Sequence, residues 1–340
     1  MKWKDVGNSS EKMIMYKSLI VGCGKISGLY DKKDNDSIYS HAHAYANNKT
    51  IETVCFCDKN IDNAKKLAKK YNCENYSEDS LKSIEKFRPD VISVATPDTT
   101  HYDVVCEILS LPFEALPKVI ILEKPACQND IQLNDLIFKS EQKNVKILVN
   151  HSRRFDELHQ NLKSAISEKR FGKLVKAHAV YYSGWDHNGI HTVDTLSFLF
   201  DDELEFLGLL NSEPSPYEND YNLEFKMKFK KSDVLIYLLT MNEDFYQLFE
   251  FDLMFENARI RIEDFGDRIS YEEKIINIMN ENVLIKKDFS VISNKEKTPM
   301  QSMIDLVVEH LNNQQNLDEY LIQNISKSMK VIWEGNKWTK

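Results

Sequence analysis

The chain has 340 residues, a net charge of −9 and 42% hydrophobic residues. This composition excludes disordered, collagen-like and disulfide-scaffold proteins, and the acidic balance gives no general footprint for nucleic acid or an anionic membrane. The length suggests two domains, and no apolar run of about 18 residues predicts a membrane-spanning helix.

Residues 16–150 alternate short apolar runs with helical patterns. Predicted strands cover residues 17–21, 52–57, 90–95, 118–122 and 145–149, and predicted helices cover residues 61–71, 80–87, 98–109 and 131–142. Near-continuous apolar strands that alternate with helices predict a parallel sheet with helices on both faces, which is an α/β fold. The polar residues 1–15 are interpreted as an N-terminal extension.

Residues 151–340 have a different pattern. Predicted helices cover residues 158–167, 190–200, 301–312 and 318–333, and predicted strands cover residues 174–182, 205–210, 223–229, 234–240, 247–255 and 258–262. Five of these strands follow one another without a helix between them. This half is therefore predicted to be an α+β domain with a large, mainly antiparallel open sheet.

Three of only ten glycines fall in one turn after the first strand. The turn runs Gly22-Cys23-Gly24-Lys25-Ile26, followed by a serine and Gly28. It matches the dinucleotide fingerprint G-x-G-x-x-G with a small residue at the third position, before a predicted helix whose N-terminus would face a phosphate. The alternative is an ordinary turn between a strand and a helix.

Asp58 follows the second strand, where a carboxylate can accept hydrogen bonds from the adenosine ribose. This placement favours NAD(H), and the neighbouring Lys59 leaves NADP(H) open. The polar insertion 31–40 lengthens the usual spacing between the glycines and this acid. An ordinary solvated aspartate is the alternative.

The cysteines and the paired histidines give no metal signature. All six cysteines lie between Cys23 and Cys127 without a C-x-x-C pair, which indicates reduced thiols in a cytoplasmic protein. His41 and His43 have a spacing seen in metal sites, but no partner cluster accompanies them. No metal is expected; a place beside the cofactor crevice is the other interpretation of these histidines.

Several short motifs occur in a fixed order. They are the strand and glycine turn, Ala95-Thr96-Pro97 with His101, Glu123-Lys124-Pro125, Arg153-Arg154-Phe155-Asp156, and the segment from Gly189 through His191 to Asp194. Over about residues 16–200 the chain resembles the glucose–fructose oxidoreductase, inositol dehydrogenase and MocA family of NAD(P)-dependent sugar oxidoreductases. The resemblance implies a Rossmann domain at residues 16–150 and a substrate and oligomerisation domain at residues 151–340.

The resemblance also implies catalytic roles. Lys124 would lie near the nicotinamide and the reacting hydroxyl, and His191 would take and return the proton. In many members an aspartate four residues before this histidine pairs with it, and here that position is His187. Asp186 and Asp194 are the alternative partners for His191. Cofactor contacts would further include Thr96, Pro97, His101 and Glu123.

Substrate contacts are expected from the residues around these motifs. The candidates are Arg153, Arg154, Trp185, His187, Asn188 and His191. A salt bridge between domains is the alternative for the arginines, and a core position is the alternative for Trp185 and the nearby Tyr181 and Tyr182. The sugar is expected between the domains, against the open sheet, with the other sheet face pairing subunits in a homodimer or homotetramer.

These motifs together predict a cytoplasmic enzyme that transfers hydride between NAD(P) and a hydroxyl or keto carbon of a sugar or sugar derivative, including nucleotide-linked ones. The competing hypothesis is a non-catalytic sensor or regulator that binds the dinucleotide with the same fold. His187 at the usual aspartate position favours the sensor, whereas Lys124 and His191 favour the enzyme.

Overall fold

The computed structural model describes residues 15–31, 37–288 and 296–339. Most of the predicted extension 1–15 and part of the insertion 31–40 lie outside these ranges. Among the described residues, no helix is long and apolar enough to cross a membrane. The six cysteines form no disulfide, and Cys73 and Cys106 are half-exposed rather than buried.

A six-stranded parallel sheet forms the N-terminal part. Its strands are β1 (Tyr16–Val21), β2 (Ile51–Cys57), β3 (Tyr76–Ser77), β4 (Val91–Val94), β5 (Val119–Leu122) and β6 (Lys146–Val149). They lie in the order β3-β2-β1-β4-β5-β6, the doubly wound order of a dinucleotide-binding domain. This confirms the predicted α/β fold, although the two-residue β3 was not predicted.

Helices cover both faces of this sheet because its strands are apolar on both sides. The helices are α1 (His41–Asn47), α2 (Ile61–Lys70), α3 (Ser80–Phe87), α4 (His101–Ser110) and α5 (Asp130–Lys143). Side chains of α1 and α2 pack on one face, with Ile20 and Phe56 of the sheet. Those of α3, α4 and α5 pack on the other, with Leu19 and Ile92.

The helix predicted directly after the glycine turn does not form. Residues Lys25–Leu29 make a single irregular turn that breaks at Gly28. The first regular helix is α1, and Ser40 begins it by accepting a hydrogen bond from the His43 amide. The prediction was wrong because the polar insertion separates the turn from the helix.

The second sheet has eight strands in the order β14-β13-β12-β11-β7-β10-β9-β8. They are β7 (Leu174–Tyr182), β8 (Leu204–Pro214), β9 (Tyr221–Phe229), β10 (Leu235–Met241), β11 (Glu250–Phe255), β12 (Ala258–Glu263), β13 (Arg268–Ile276) and β14 (Asn282–Lys287). Neighbours are antiparallel except for the parallel pair β7 and β10. The mainly antiparallel sheet is therefore confirmed, and β13 and β14 were missed.

Helices α6 (Glu157–Ser167), α7 (Ile190–Phe200) and α9 (Ile322–Gly335) share a core with one face of this sheet. A short turn, Asp318–Tyr320, replaces the start of the helix predicted at residues 318–333. The face carrying His178, Tyr237 and Arg259 is opposite that core, and no helix in the described part of the chain covers it. The helices thus cover one face of the sheet, and the expectation that the sugar and a second subunit use the open sheet stays a prediction.

Helix α8 (Pro299–Leu311) packs against the first sheet although it follows the second one in the chain. Met303, Ile304 and Val307 are fully buried in the core that contains Ile20 and Val91. The predicted boundary at residue 150 therefore separates the two sheets but not the two cores.

Candidate active site

The glycine turn lies at the carboxyl end of β1, where parallel strands present their ligands. Gly22 has φ +90°, and a Cβ atom on it would sit 2.5 Å from the carbonyl oxygen of Ala95. Gly24 has no atom within 4 Å of its Cβ position. The positive φ and the close approach of Ala95 thus require glycine at position 22. Gly24 lines a groove that a side chain at this position would narrow.

Ser27 and Gly28 divide the role of the missing third glycine. The buried Ser27 hydroxyl donates to the Gly22 carbonyl at 2.6 Å and closes the turn. A Cβ on Gly28 would lie 2.8 Å from Leu67 of α2, so Gly28 permits the close packing against the helix. The substitution at the fingerprint's third position shifts that packing by one residue.

Asp58 is fixed at the end of β2 by two backbone amides. Its Oδ2 accepts from the Cys23 amide at 2.7 Å, and its Oδ1 accepts from the Asn60 amide at 2.8 Å. The carboxylate thereby joins the glycine turn to the second strand and lines the same groove. Among the described residues, the Gly24 amide has no backbone or side-chain acceptor. The groove thus offers an amide for a phosphate and a carboxylate for a ribose, which fits a dinucleotide.

The loop after β4 places Thr96 and Pro97 on this groove. His101 lies behind it, because its imidazole is fully buried between the carbonyl oxygens of Pro125 at 2.7 Å and Thr96 at 2.9 Å. His101 therefore ties the loop after β4 to the loop after β5. The predicted direct contact of His101 with a cofactor has no support in this geometry.

The loop after β5 contains Glu123 and Lys124. The Glu123 carboxylate accepts from Asn150 at 2.6 Å and contacts the buried His41 imidazole at 2.9 Å. Burial alone would raise the pKa of Glu123, but His41 and Asn150 hold it below its usual value. His41 was singled out in the sequence for its spacing with His43; its role in orienting Glu123 was not predicted.

Lys124 projects towards the second domain, where its Nζ donates to the His187 carbonyl at 3.0 Å. Burial lowers the pKa of this amine, against the opposing effects of Glu123 and Asp98. Lys124 can therefore exchange a proton closer to neutrality than an exposed lysine can.

The segment before α7 is held by the start of β9. Asp220 accepts from the backbone amides of Asp186 at 3.1 Å and His187 at 3.2 Å, and Gly184, with φ +83°, leaves room for its carboxylate. The His187 imidazole stacks on Tyr217, with ring centroids 4.0 Å apart. Burial, reinforced by Lys124, lowers the pKa of His187 to about 4, so this ring is neutral at pH 7.

His191 lies in the first turn of α7 and lines the cavity that also contains Lys124. Burial, together with Lys124, His151 and Arg153, lowers the pKa of His191 well below its usual value. The imidazole is therefore neutral at pH 7 and can accept a proton.

Neither aspartate proposed for His191 pairs with it. Asp186 accepts a hydrogen bond from Asn336 at 2.7 Å, and Asp194 is bound by Arg154 and Ser328. Among the described residues, no side chain makes a hydrogen bond to the His191 imidazole. The dyad with an aspartate is thus absent from the described residues.

Arg153 and Arg154 are adjacent in sequence but have different surroundings. Arg154 is buried and makes a two-pronged ion pair with Asp194, with contacts of 2.9 Å, so it holds the loop after β6 to α7. Arg153 lines the cavity with Lys124 and His191. The structure therefore contradicts the substrate role expected for Arg154 and supports the salt bridge, while Arg153 faces the cavity.

Trp185 lies in the core and not in the cavity. It is fully buried, its Nε1 donates to the Ile332 carbonyl at 2.9 Å, and its ring packs edge-on against Phe225. The expectation that Trp185 contacts the substrate is therefore wrong. Tyr181 is also buried, whereas Tyr182 and Asn188 line the cavity.

Two cavities meet at the interface of the sheets. One, of about 1140 Å³, runs along the glycine turn and Asp58. The other, of about 900 Å³, contains Lys124, Arg153, His187 and His191, together with the unpredicted turn Phe265–Asp267. Ile26, Tyr30 and Thr96 line both. Among the described residues no three His, Cys, Asp or Glu side chains are placed to hold a metal ion.

Comparison with known proteins identifies the first domain. Residues 16–151 match the GFO_IDH_MocA model, described as an oxidoreductase family with an NAD-binding Rossmann fold. The match covers the first sheet and less than half of the chain. The Gfo/Idh/MocA match ends where β6 leads into the loop that carries Arg153 and Arg154.

Inositol 2-dehydrogenase from Mycolicibacterium smegmatis is 27% identical to the chain over 150 residues, or 41% of this chain and 42% of the relative. The alignment thus spans about two fifths of that relative's length. D-Glucoside 3-dehydrogenase from Escherichia coli is 30% identical over 84 residues, or 25% of this chain and 21% of the relative.

Solved structures resemble the whole chain. An oxidoreductase from Desulfitobacterium hafniense, described as NADPH-dependent, has a TM-score of 0.77 and 16% identity and matches 95% of each chain. A 3-ketoreductase from Actinomadura kijaniata, solved with TDP-benzene and NADP, has a TM-score of 0.75 and 11% identity, with 94% and 96% of the two chains matched. At these identities the likeness establishes that the Gfo/Idh/MocA fold extends through the second sheet.

Proposed function

We propose that this protein is a nicotinamide-dependent dehydrogenase or reductase that acts on a secondary hydroxyl or keto group of a sugar or sugar derivative. The observation that carries the proposal is the cavity that Lys124 and His191 share, which continues past Thr96 to the glycine turn. The names of the two relatives, inositol 2-dehydrogenase and D-glucoside 3-dehydrogenase, agree with a polyhydroxylated substrate, and the name 3-ketoreductase agrees with a keto group.

A bound nicotinamide dinucleotide supplies the hydride acceptor or donor. The chain's own groups handle the proton and the developing charge. Lys124 donates a hydrogen bond to the reacting oxygen and stabilises its negative charge, and the neutral His191 imidazole accepts the hydroxyl proton. In the reverse direction the protonated His191 returns that proton to the oxygen. Glu123, held by His41 and Asn150, keeps the loop that carries Lys124 in place.

We infer a preference for NAD(H) over NADP(H) from Asp58. A 2′-phosphate on the adenosine ribose would face this fixed carboxylate and be repelled. Titration of the protein with each reduced cofactor, followed by nicotinamide fluorescence, should give the lower dissociation constant for NADH. Asp58→Asn should narrow the difference; equal affinity of the unaltered protein for both cofactors would contradict the inference.

The proposed oligomer uses the uncovered face of the second sheet. His178 and Tyr237 are half-exposed there, beside the ion pair of Arg259 with Asp252. We expect a homodimer or homotetramer joined through this face. A monomer in light scattering at micromolar concentration would contradict it.

Replacement of Lys124 tests the enzymatic role. Lys124→Ala should lower turnover on an active sugar by about 100-fold or more while leaving cofactor binding measurable. The unaltered protein must oxidise or reduce at least one member of a panel of free and nucleotide-linked sugars. Cofactor binding without turnover across that panel would favour the sensor. That hypothesis also fits the observation that no carboxylate of the described residues pairs with His191.

A further inference from the structure

The chain has seven arginines, and their partners separate Arg153 from the others. Five of them form ion pairs: Arg154, Arg170, Arg259, Arg261 and Arg268. Arg88 is exposed at the end of α3. Arg153 alone is half-buried without an ion pair to a carboxylate of the described residues within 4.0 Å.

Arg153 is nonetheless held firmly in place. Its guanidinium donates to the Phe265 carbonyl and lies 5.4 Å from the centre of the Phe249 ring. A Cβ on Gly266 would lie 2.8 Å from its Nε, so the glycine, with φ +89°, lets the Phe265–Asp267 turn close over the side chain. The fold already holds the guanidinium group in one orientation. A ligand that binds to this orientation therefore causes little further loss of side-chain entropy.

Nearby acids compensate this charge only in part. Asp156 and Asp267 oppose the effect of burial, yet the pKa of Arg153 remains below its ordinary value. Asp156 also contacts His159 at 2.5 Å. A guanidinium group carries five N–H donors, and the hydrogen bond to the Phe265 carbonyl uses one of them.

Arg153 lines the cavity that contains Lys124 and His191. A planar guanidinium suits the two oxygens of a carboxylate or the oxygens of a phosphate. We propose that the substrate carries an oxyanion, bound by Arg153 at the Phe265–Asp267 turn, in addition to the hydroxyl or keto group that reacts between Lys124 and His191. The substrate class is thus an acidic sugar, and the inference rests on the proposed function.

The test compares matched ligands that differ only at one substituent. Glucose, glucuronate and glucose 6-phosphate carry a hydroxymethyl, a carboxylate and a phosphate at the same position, and the corresponding galactose and mannose series vary the remaining hydroxyls. Binding is measured by calorimetry on the protein saturated with NADH, which cannot oxidise these sugars, and turnover is measured separately by formation of NADH from NAD+. The carboxylate and phosphate arms distinguish the two sources of the oxyanion.

We expect at least one acidic member to bind about tenfold to 100-fold more tightly than its neutral counterpart, because hydrogen bonds between charged groups are strong. Arg153→Met should abolish this difference, so that the acidic and neutral members bind with equal affinity. Arg153→Lys should restore part of the difference. Equal binding of acidic and neutral members to the unaltered protein, or equal weakening of both by Arg153→Met, would overturn the inference.

Arg154→Met is the matched control. Removal of the Arg154 guanidinium breaks the buried ion pair with Asp194 and should lower the melting temperature of the protein. The ratio of the affinities for acidic and neutral sugars should not change. If Arg154→Met does not fold, Arg153→Lys still decides between the outcomes. Because binding is measured without chemistry, a protein that binds acidic sugars but never forms NADH would refute the proposed function and keep the anion site.

Discussion

At the scale of single residues, burial sets the chemistry of the site. Lys124 and His191 both have lowered pKa values, and burial is the largest cause for each. Lowering the pKa favours the neutral form of either group, so His191 is ready to accept a proton at neutral pH without a carboxylate partner. Both residues could be identified from the sequence motifs that contain them. Their burial, and the failure of Asp186 and Asp194 to reach His191, depend on packing between distant segments.

The lowered pKa of His191 predicts the pH dependence of alcohol oxidation. Oxidation requires the neutral imidazole, so kcat/KM should stay high down to a pH below about 6.5 and fall only under that value. His191→Asn should remove this acid limb and lower kcat by about 100-fold to 10,000-fold. An acid limb above pH 7 in the unaltered protein, or an unchanged limb in the variant, would show that another group takes the proton.

Asp186 predicts a pH-dependent effect on stability. Burial, with Asp220 nearby, raises the pKa of this carboxyl to about 6, so folding disfavours its charged form above that pH. Asp186→Asn should raise the melting temperature at pH 8 by about 2–4 °C and lose that gain as the pH falls from 6 towards 4, where the native Asp186 is protonated. The hydrogen bond from Asn336 can persist to the new amide oxygen. Scanning calorimetry at both pH values measures the gain; an equal gain at each would exclude a titration effect.

At the scale of elements, the alternation of apolar runs with capped helices was readable from the sequence. Strand β7, helix α3 and helix α7 have the predicted bounds. The missed strands β13 and β14 contain no fully buried residue and carry several charges, so they lack the alternation of apolar and polar residues that predicts a strand. In the sequence, the turn Phe265–Asp267 shows no signal beyond a glycine among polar residues. Its contact with Arg153 could not be predicted, because the two segments are brought together only by folding.

The two glycines of the cofactor turn should respond differently to alanine. Gly22→Ala places its Cβ against the Ala95 carbonyl at a positive φ and should lower the melting temperature. Gly24→Ala meets no atom within 4 Å, so it should fold normally but weaken NADH binding by filling the groove. Fluorescence titration and thermal melting of both variants provide the comparison. Unchanged NADH affinity in Gly24→Ala would place the cofactor elsewhere.

At the scale of the whole molecule, the two sheets depend on each other. Helix α9 shares a core with α5 and β6 on one side and with the second sheet on the other, and α8 covers the first sheet. The sequence predicts these helices but not their location, because apolar periodicity marks the buried face of a helix without naming its partner.

The placement of α8 predicts that the first domain is incomplete by itself. A fragment of residues 1–155 leaves uncovered the apolar face that Met303, Ile304 and Val307 bury, and it should bind a hydrophobic dye and melt without a cooperative transition. The full chain provides the control. A fragment that melts cooperatively near the temperature of the full chain would contradict this interdependence.

Transfer of a labelled hydride tests most directly whether the cavity between Lys124 and His191 is a redox site. The protein is incubated with reduced cofactor carrying deuterium at the transferable position and with keto derivatives of the neutral and acidic sugars, and the products are analysed by mass spectrometry. We predict deuterium on the carbinol carbon of at least one product, and its loss in Lys124→Ala and His191→Asn. Cofactor binding without deuterium in any product, or equal labelling in both variants, would contradict the assignment.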